Sequence, residues 1–188
     1  MEQFKFLSMK ESFEENYKAV KVPAKNKKGF RMEYVYIGPW YVWTADPIQV
    51  KKTKIGVLNA CVISLILYVV AALQDSPVNY QRLVSMTGLL SLAPFIFELF
   101  GVVQFWMSKE KMTNLNFDDI SGKLKIAPVI HAALLFLCGA LGIYAVVHNG
   151  FSRIQLLIPV CYGLAGWEAL SVYLIFRKLQ HKKIENQN

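Results

Sequence analysis

Glu98 and Glu168 are the side chains best placed to do chemistry in this chain, because each interrupts a long apolar stretch that holds no other charge. A carboxylate at membrane depth is costly, so it normally faces a bundle interior or a wet cavity, where it can bind a cation or exchange a proton. The remaining 21 basic and 11 acidic residues all lie outside the apolar stretches. Asn59 and His131 fall in the neighbouring stretches, and with Glu98 and Glu168 they form a candidate polar cluster for a proton, a cation or a small solute.

Local composition around these positions favours close helix contact. Gly101 and Ser171 each follow their glutamate by one turn, and Gly163 and Gly166 lie about one turn before Glu168. Small residues of this kind let transmembrane helices approach closely. Pro94 and Pro128 precede Glu98 and His131, and Pro159 lies early in its stretch; each frees a backbone carbonyl that other helices, water or a ligand must satisfy. A plainer reading stands beside the functional one: polar side chains in membrane bundles often only fasten neighbouring helices, for about 0.6–2 kcal/mol each.

Other chemistries have thinner support. No Glu-x-x-His pattern of a di-metal bundle is present, and His148 and His181 stand away from the cluster, so no metal and no cofactor is expected. Cys61, Cys138 and Cys161 lie inside the apolar stretches without C-x-x-C spacing and read as small hydrophobes. Nucleophilic triads, phosphate-binding glycine loops and dinucleotide fingerprints are absent, so an enzyme is the weaker expectation. Such an enzyme would act on a lipid or apolar substrate, with Glu98 or Glu168 and His131 in acid–base roles.

The elements that must position these residues follow from hydropathy. Residues 55–73, 84–107, 126–147 and 154–176 are each long enough to cross a bilayer, which takes about 20 residues. The fold expected is therefore an all-α polytopic bundle of four transmembrane helices. Glu98 and Glu168 fall about 12–14 Å from the inner ends of their helices at 1.5 Å per residue, close to the midplane. No cleavable signal peptide is visible, and the run from Ile55 reads as an uncleaved signal anchor.

Charge gives orientation. Of the 21 Lys and Arg, 11 precede the first span, four lie between spans two and three, and four follow span four. Positive charge flanking spans stays inside, so both termini and the middle loop are expected in the cytoplasm and the chain in the cell membrane. That distribution, with attraction to anionic headgroups, accounts for the net charge of +8, and nucleic acid is not expected as a partner.

The chain divides into an N-terminal segment (1–53), a transmembrane domain (54–178) and a tail (179–188). Residues 1–17 read as a short amphipathic helix or as loose chain. Residues 18–37, rich in Val and Tyr around the turn-forming Asn-Lys-Lys-Gly, read as a small β-hairpin that needs a surface to dock on. Pro39 to Trp43 gather three aromatic rings before the first span, the composition of an interfacial anchor. A repeat links units of about 54–107 and 125–178. Lys54-Ile55 matches Lys125-Ile126, Tyr80-Gln81-Arg82-Leu83 matches Phe151-Ser152-Arg153-Ile154, and Phe97-Glu98 matches Trp167-Glu168. Two units of two spans insert the same way up, the parallel-repeat arrangement.

These readings converge on a small transporter or permease component that binds a cation, proton or small solute at its paired glutamates. The alternative is a non-catalytic accessory or assembly subunit of a larger membrane complex. Four thin helices leave little room for a path, so a homodimer or another membrane subunit is expected beside the lipid bilayer itself.

Overall fold

In the computed structural model, residues 9–23, 29–148 and 153–185 are described. Four long helices dominate: α2 (Pro47–Ala72), α4 (Arg82–Met107), α5 (Asn114–His148) and α6 (Leu157–Arg177). Each is long and apolar enough to cross a membrane. Their outward faces carry Leu89, Leu90, Phe97, Phe100, Ile126, Leu137 and Leu164, all well exposed. A soluble protein does not present so much contiguous apolar surface to water, whereas acyl chains match it. The architecture is that of a multi-pass membrane protein.

Around the bundle, α2 packs on α6, α6 on α5, and α5 on α4, while α2 and α4 touch more lightly. Helices α4 and α6 therefore stand diagonally, meeting through Phe105 and Phe176, whose ring centroids are 5.3 Å apart. The α5–α6 seam is close because it is built on glycine. A methyl group on Gly139 would lie 3.0 Å from the Pro159 carbonyl oxygen, and one on Gly166 would lie 3.2 Å from that of Ala132. Polar side chains add clasps between helices: Ser64 donates to the Ala165 carbonyl at 2.8 Å, and Tyr68 to that of Gly88 at 3.1 Å.

Helix α5 begins at Asn114, a dozen residues before the apolar stretch expected from 126. Its added turns bury Phe117, Ile120, Ser121 and Leu124, which recur on one helical face. At that end, Lys123 bonds both Gln104 and Asp119, tying α4 to α5. Lys54 reaches from α2 to the Ser108 carbonyl at 2.6 Å, meeting the carbonyls left open at the end of α4.

The N-terminal segment holds α1 (Met9–Asn16) and a hairpin of β1 (Tyr17–Pro23) and β2 (Phe30–Tyr36), antiparallel, with Tyr17 opposite Tyr36. Most of the turn expected at Asn-Lys-Lys-Gly lies outside the described residues; Gly29, at φ 71°, supplies the left-handed position. The aromatic run forms β3 (Trp40–Trp43), the central strand of a three-stranded antiparallel sheet with β4 (Lys111–Thr113) and β5 (His181–Ile184). Tyr41 stands opposite Met112 on one side and Lys183 on the other. One sheet thus joins the segment before α2, the loop between α4 and α5, and the tail after α6. All three lie at one end of the bundle. Trp43 enters the core there, 5.7 Å from Phe105, 5.8 Å from Phe117 and 6.2 Å from Phe176 between ring centroids. At the opposite end the short helix α3 (Pro77–Tyr80) is capped by Ser76 and buries Val78.

Candidate functional site

Glu98 lies on the inward face of α4 with Ser91, Phe95, Gly101, Val102 and Phe105. His131 occupies the facing side of α5, three residues after Pro128. The two meet: His131 Nδ1 is 2.7 Å from Glu98 Oε2, and the side chains are 3% and 0% exposed. The Phe95 ring tilts against the imidazole at 5.3 Å. Gly101 lets α5 come close just below the pair, since a methyl group there would lie 3.0 Å from Leu124 and from Lys123.

One proton between Nδ1 and Oε2 satisfies both atoms. It can sit on the imidazole, facing a carboxylate, or on the carboxyl, donating to a neutral ring. The second carboxyl oxygen is different: Oε1 is buried with no hydrogen-bond partner among the described residues. An unpaired buried acceptor costs about 1–3 kcal/mol, and more if charged. The buried thiol of Cys61, on α2, lies beside the same carboxyl. The site is thus a carboxyl–imidazole pair closed in by three helices, with a second carboxyl oxygen that meets at most the weak Cys61 thiol donor.

The other two candidates lie elsewhere. Glu168 is half-buried on α6, diagonal to α4, and makes no hydrogen bond or ion pair among the described residues. Asn59 is exposed on α2 and likewise makes no hydrogen bond there. The reason is helix rotation. The inward face of α2 carries Val57, Ala60, Cys61 and Ser64, which turns Asn59 outward. Both residues nonetheless border one seam: Ile175, two turns below Glu168, packs on Gly56, one turn before Asn59. The structure therefore joins Glu98 to His131 and leaves Glu168 and Asn59 at the α2–α6 boundary. Cys61 was not among the sequence candidates, although the small residues at helical spacing on α2 mark its inward face.

Among the described residues, no group of three or more His, Cys, Asp and Glu side chains could share a metal ion. Cavities of about 570, 530 and 330 Å³ open at the sheet end, and Glu98 and His131 line none of these. An apolar groove of about 240 Å³, lined by Pro94, Phe97, Ala127 and Ile130, runs along the α4–α5 seam. No family model matches the chain, and neither the curated proteins nor the solved structures give a match.

Proposed function

We propose that this chain is a small membrane transporter or permease component in which Glu98 and His131 bind a proton or a cation. The observation that carries the reading is the enclosed carboxyl, whose second oxygen has no partner stronger than the weak thiol donor of Cys61. A carboxyl used only to fasten helices gains most when both oxygens are bonded, whereas an acceptor so weakly paired is available to an arriving proton or cation. Positive charge before α2, between α4 and α5, and after α6 supports a cell-membrane orientation with both termini cytoplasmic.

The duplication belongs to the same reading. The first helix of each unit packs along the second helix of the other, α2 on α6 and α5 on α4. Under that symmetry, Asn59 and Glu168 at the α2–α6 seam are the counterparts of His131 and Glu98 at the α5–α4 seam. A half-buried carboxyl and an exposed carboxamide on the lipid-facing side favour a second copy or another membrane subunit as their cover.

Transport is tested in proteoliposomes with an imposed gradient of protons, sodium or potassium, each read by an internal dye selective for that ion. Wild-type protein is expected to conduct at least one of these, and Glu98→Gln to fall to the level of protein-free vesicles. Wild-type flux in the Glu98→Gln protein removes the reading.

An accessory-subunit role has its own support. The hairpin exposes Met32, Tyr34 and Val35, and both of its strands are edges. Open edges and apolar side chains suit strand addition by a partner. A pull-down with residues 17–36 deleted is expected to lose a partner under this second reading, and an unchanged partner set counts against it.

A further inference from the structure

We propose that the cavity between α5, α6 and β5 at the sheet end binds the phosphate of an anionic phospholipid headgroup. The cavity holds about 570 Å³ and is lined by Ser121 and Lys125 of α5, Tyr173 and Arg177 of α6, His181 of β5, and Trp43 of β3. Three elements thus bring a guanidinium, an ammonium, an imidazole and two hydroxyls to one concavity. Guanidinium and ammonium groups are the strong partners of phosphate oxygens, the first through a planar fork and the second as a point charge.

Neither Lys125 nor Arg177 spends its donors on a hydrogen bond or close ion pair among the described residues. Asp118 is the opposing charge and attracts both Lys125 and His181. Against Lys125 and Arg177 it leaves one positive charge, and two when His181 is protonated.

Position decides between a lipid and a soluble phosphate. Lys125 immediately precedes the apolar stretch of α5, and Arg177 closes α6. Both therefore sit at the level where hydrocarbon gives way to headgroups. Exposed Ile126 follows Lys125 and exposed Leu174 lies about one turn before Arg177, and both offer apolar surface to acyl chains. Basic pockets between membrane helices on the cytoplasmic side suit anionic lipid. The proposal rests on insertion of the four helices in a bilayer, but not on proton or cation binding by Glu98.

Native mass spectrometry of the full chain, released from detergent with phosphatidylglycerol or phosphatidylcholine, is the test. Phosphatidylglycerol adducts are expected to exceed phosphatidylcholine adducts, and Lys125→Gln with Arg177→Gln to reduce them about tenfold or more, as for two basic groups removed from a headgroup. Lys109→Gln is expected to change nothing, and Arg177→Lys to retain part of the binding. Both target side chains are exposed, so helicity by circular dichroism is expected to stay at the wild-type level. If the double variant fails to fold, the two single variants carry the comparison. Equal uptake of the two lipids, or adducts unchanged by the substitutions, overturns the proposal. Displacement of the lipid by an equal concentration of inorganic phosphate assigns the cavity to a soluble phosphate and overturns the lipid assignment. Glu98→Gln protein is expected to keep the lipid adducts whatever becomes of its transport.

Discussion

A carboxyl and an imidazole 2.7 Å apart in a closed interior are coupled, so their removal should not be additive. His131→Leu leaves the buried Glu98 carboxyl without its partner, which costs about 3–5 kcal/mol where the carboxyl stays ionised and about 1–3 kcal/mol where it takes up a proton. Glu98→Leu leaves a neutral imidazole and should cost less, while the double leucine variant should recover much of the loss, as apolar replacements of buried pairs often do. Thermal unfolding in detergent reads all four proteins, and single losses that simply sum in the double variant would show the pair to be uncoupled. His181 offers a second residue-level test, outside the bundle. Burial first, and then the Lys125 ammonium, hold its imidazole below the ordinary value, while Asp118 pulls it up. The folded state thus resists a proton that the unfolded chain accepts. This contribution to stability is full above the unfolded value of about 6.5 and is lost as pH falls below it. Lys125→Gln should raise the His181 titration midpoint and Asp118→Asn should lower it further, both read by NMR of the labelled ring; shifts of the opposite sign would separate His181 from these neighbours.

The sheet end is held by elements distant in sequence, and Trp43 is the sheet side chain set among the most helix rings, beside Tyr41 and His181, which both pack on Phe117. Trp43→Ala removes a ring surrounded by Phe105, Phe117 and Phe176, and is expected to cost about 3–5 kcal/mol in the same unfolding measurement. An unchanged midpoint would mean that the sheet does not brace the helices. The four helices were legible because uncharged runs of membrane length have few other solutions, and the hairpin because Val and Tyr flank turn residues. The pairing of β3 with β4 and β5 left no such mark: β4 has three residues, β5 reads as charged tail, and their partners lie far along the chain. The early start of α5 did leave one, in the spacing of Phe117, Ile120, Ser121 and Leu124, but only to a search that follows periodicity past the last charge. At the site, Glu98 and His131 stood out as polar groups in apolar runs. Their pairing, and the outward turn of Asn59, depend on helix rotations that residue type alone does not fix. On α2 the small inward residues Ala60, Cys61 and Ser64 decide it.

For the whole molecule, the sheet and the charge distribution make separate demands that must agree. Pairing β3 with β4 and β5 holds the start of α2, the α4–α5 loop and the tail at one end of the bundle. An even number of crossings between these segments is the only threading that allows this in a bilayer. The connections at the opposite end carry one basic residue each, Arg82 and Arg153, against 11, four and four in the segments at the sheet end. The positive-inside tendency predicts a cytoplasmic sheet, the orientation proposed above. Cys61, Cys138 and Cys161 are buried, so a single engineered cysteine can report its own side without strong background. Asp75→Cys, beside α3, should react with an impermeant maleimide in intact cells, whereas Lys111→Cys on β4 and Lys183→Cys on β5 should react only after lysis. Asp75→Cys and Lys183→Cys labelling from the same face would contradict four crossings. Lys111→Cys and Lys183→Cys labelling from opposite faces would separate strands that the sheet holds together, and with them the cavity between α5, α6 and β5.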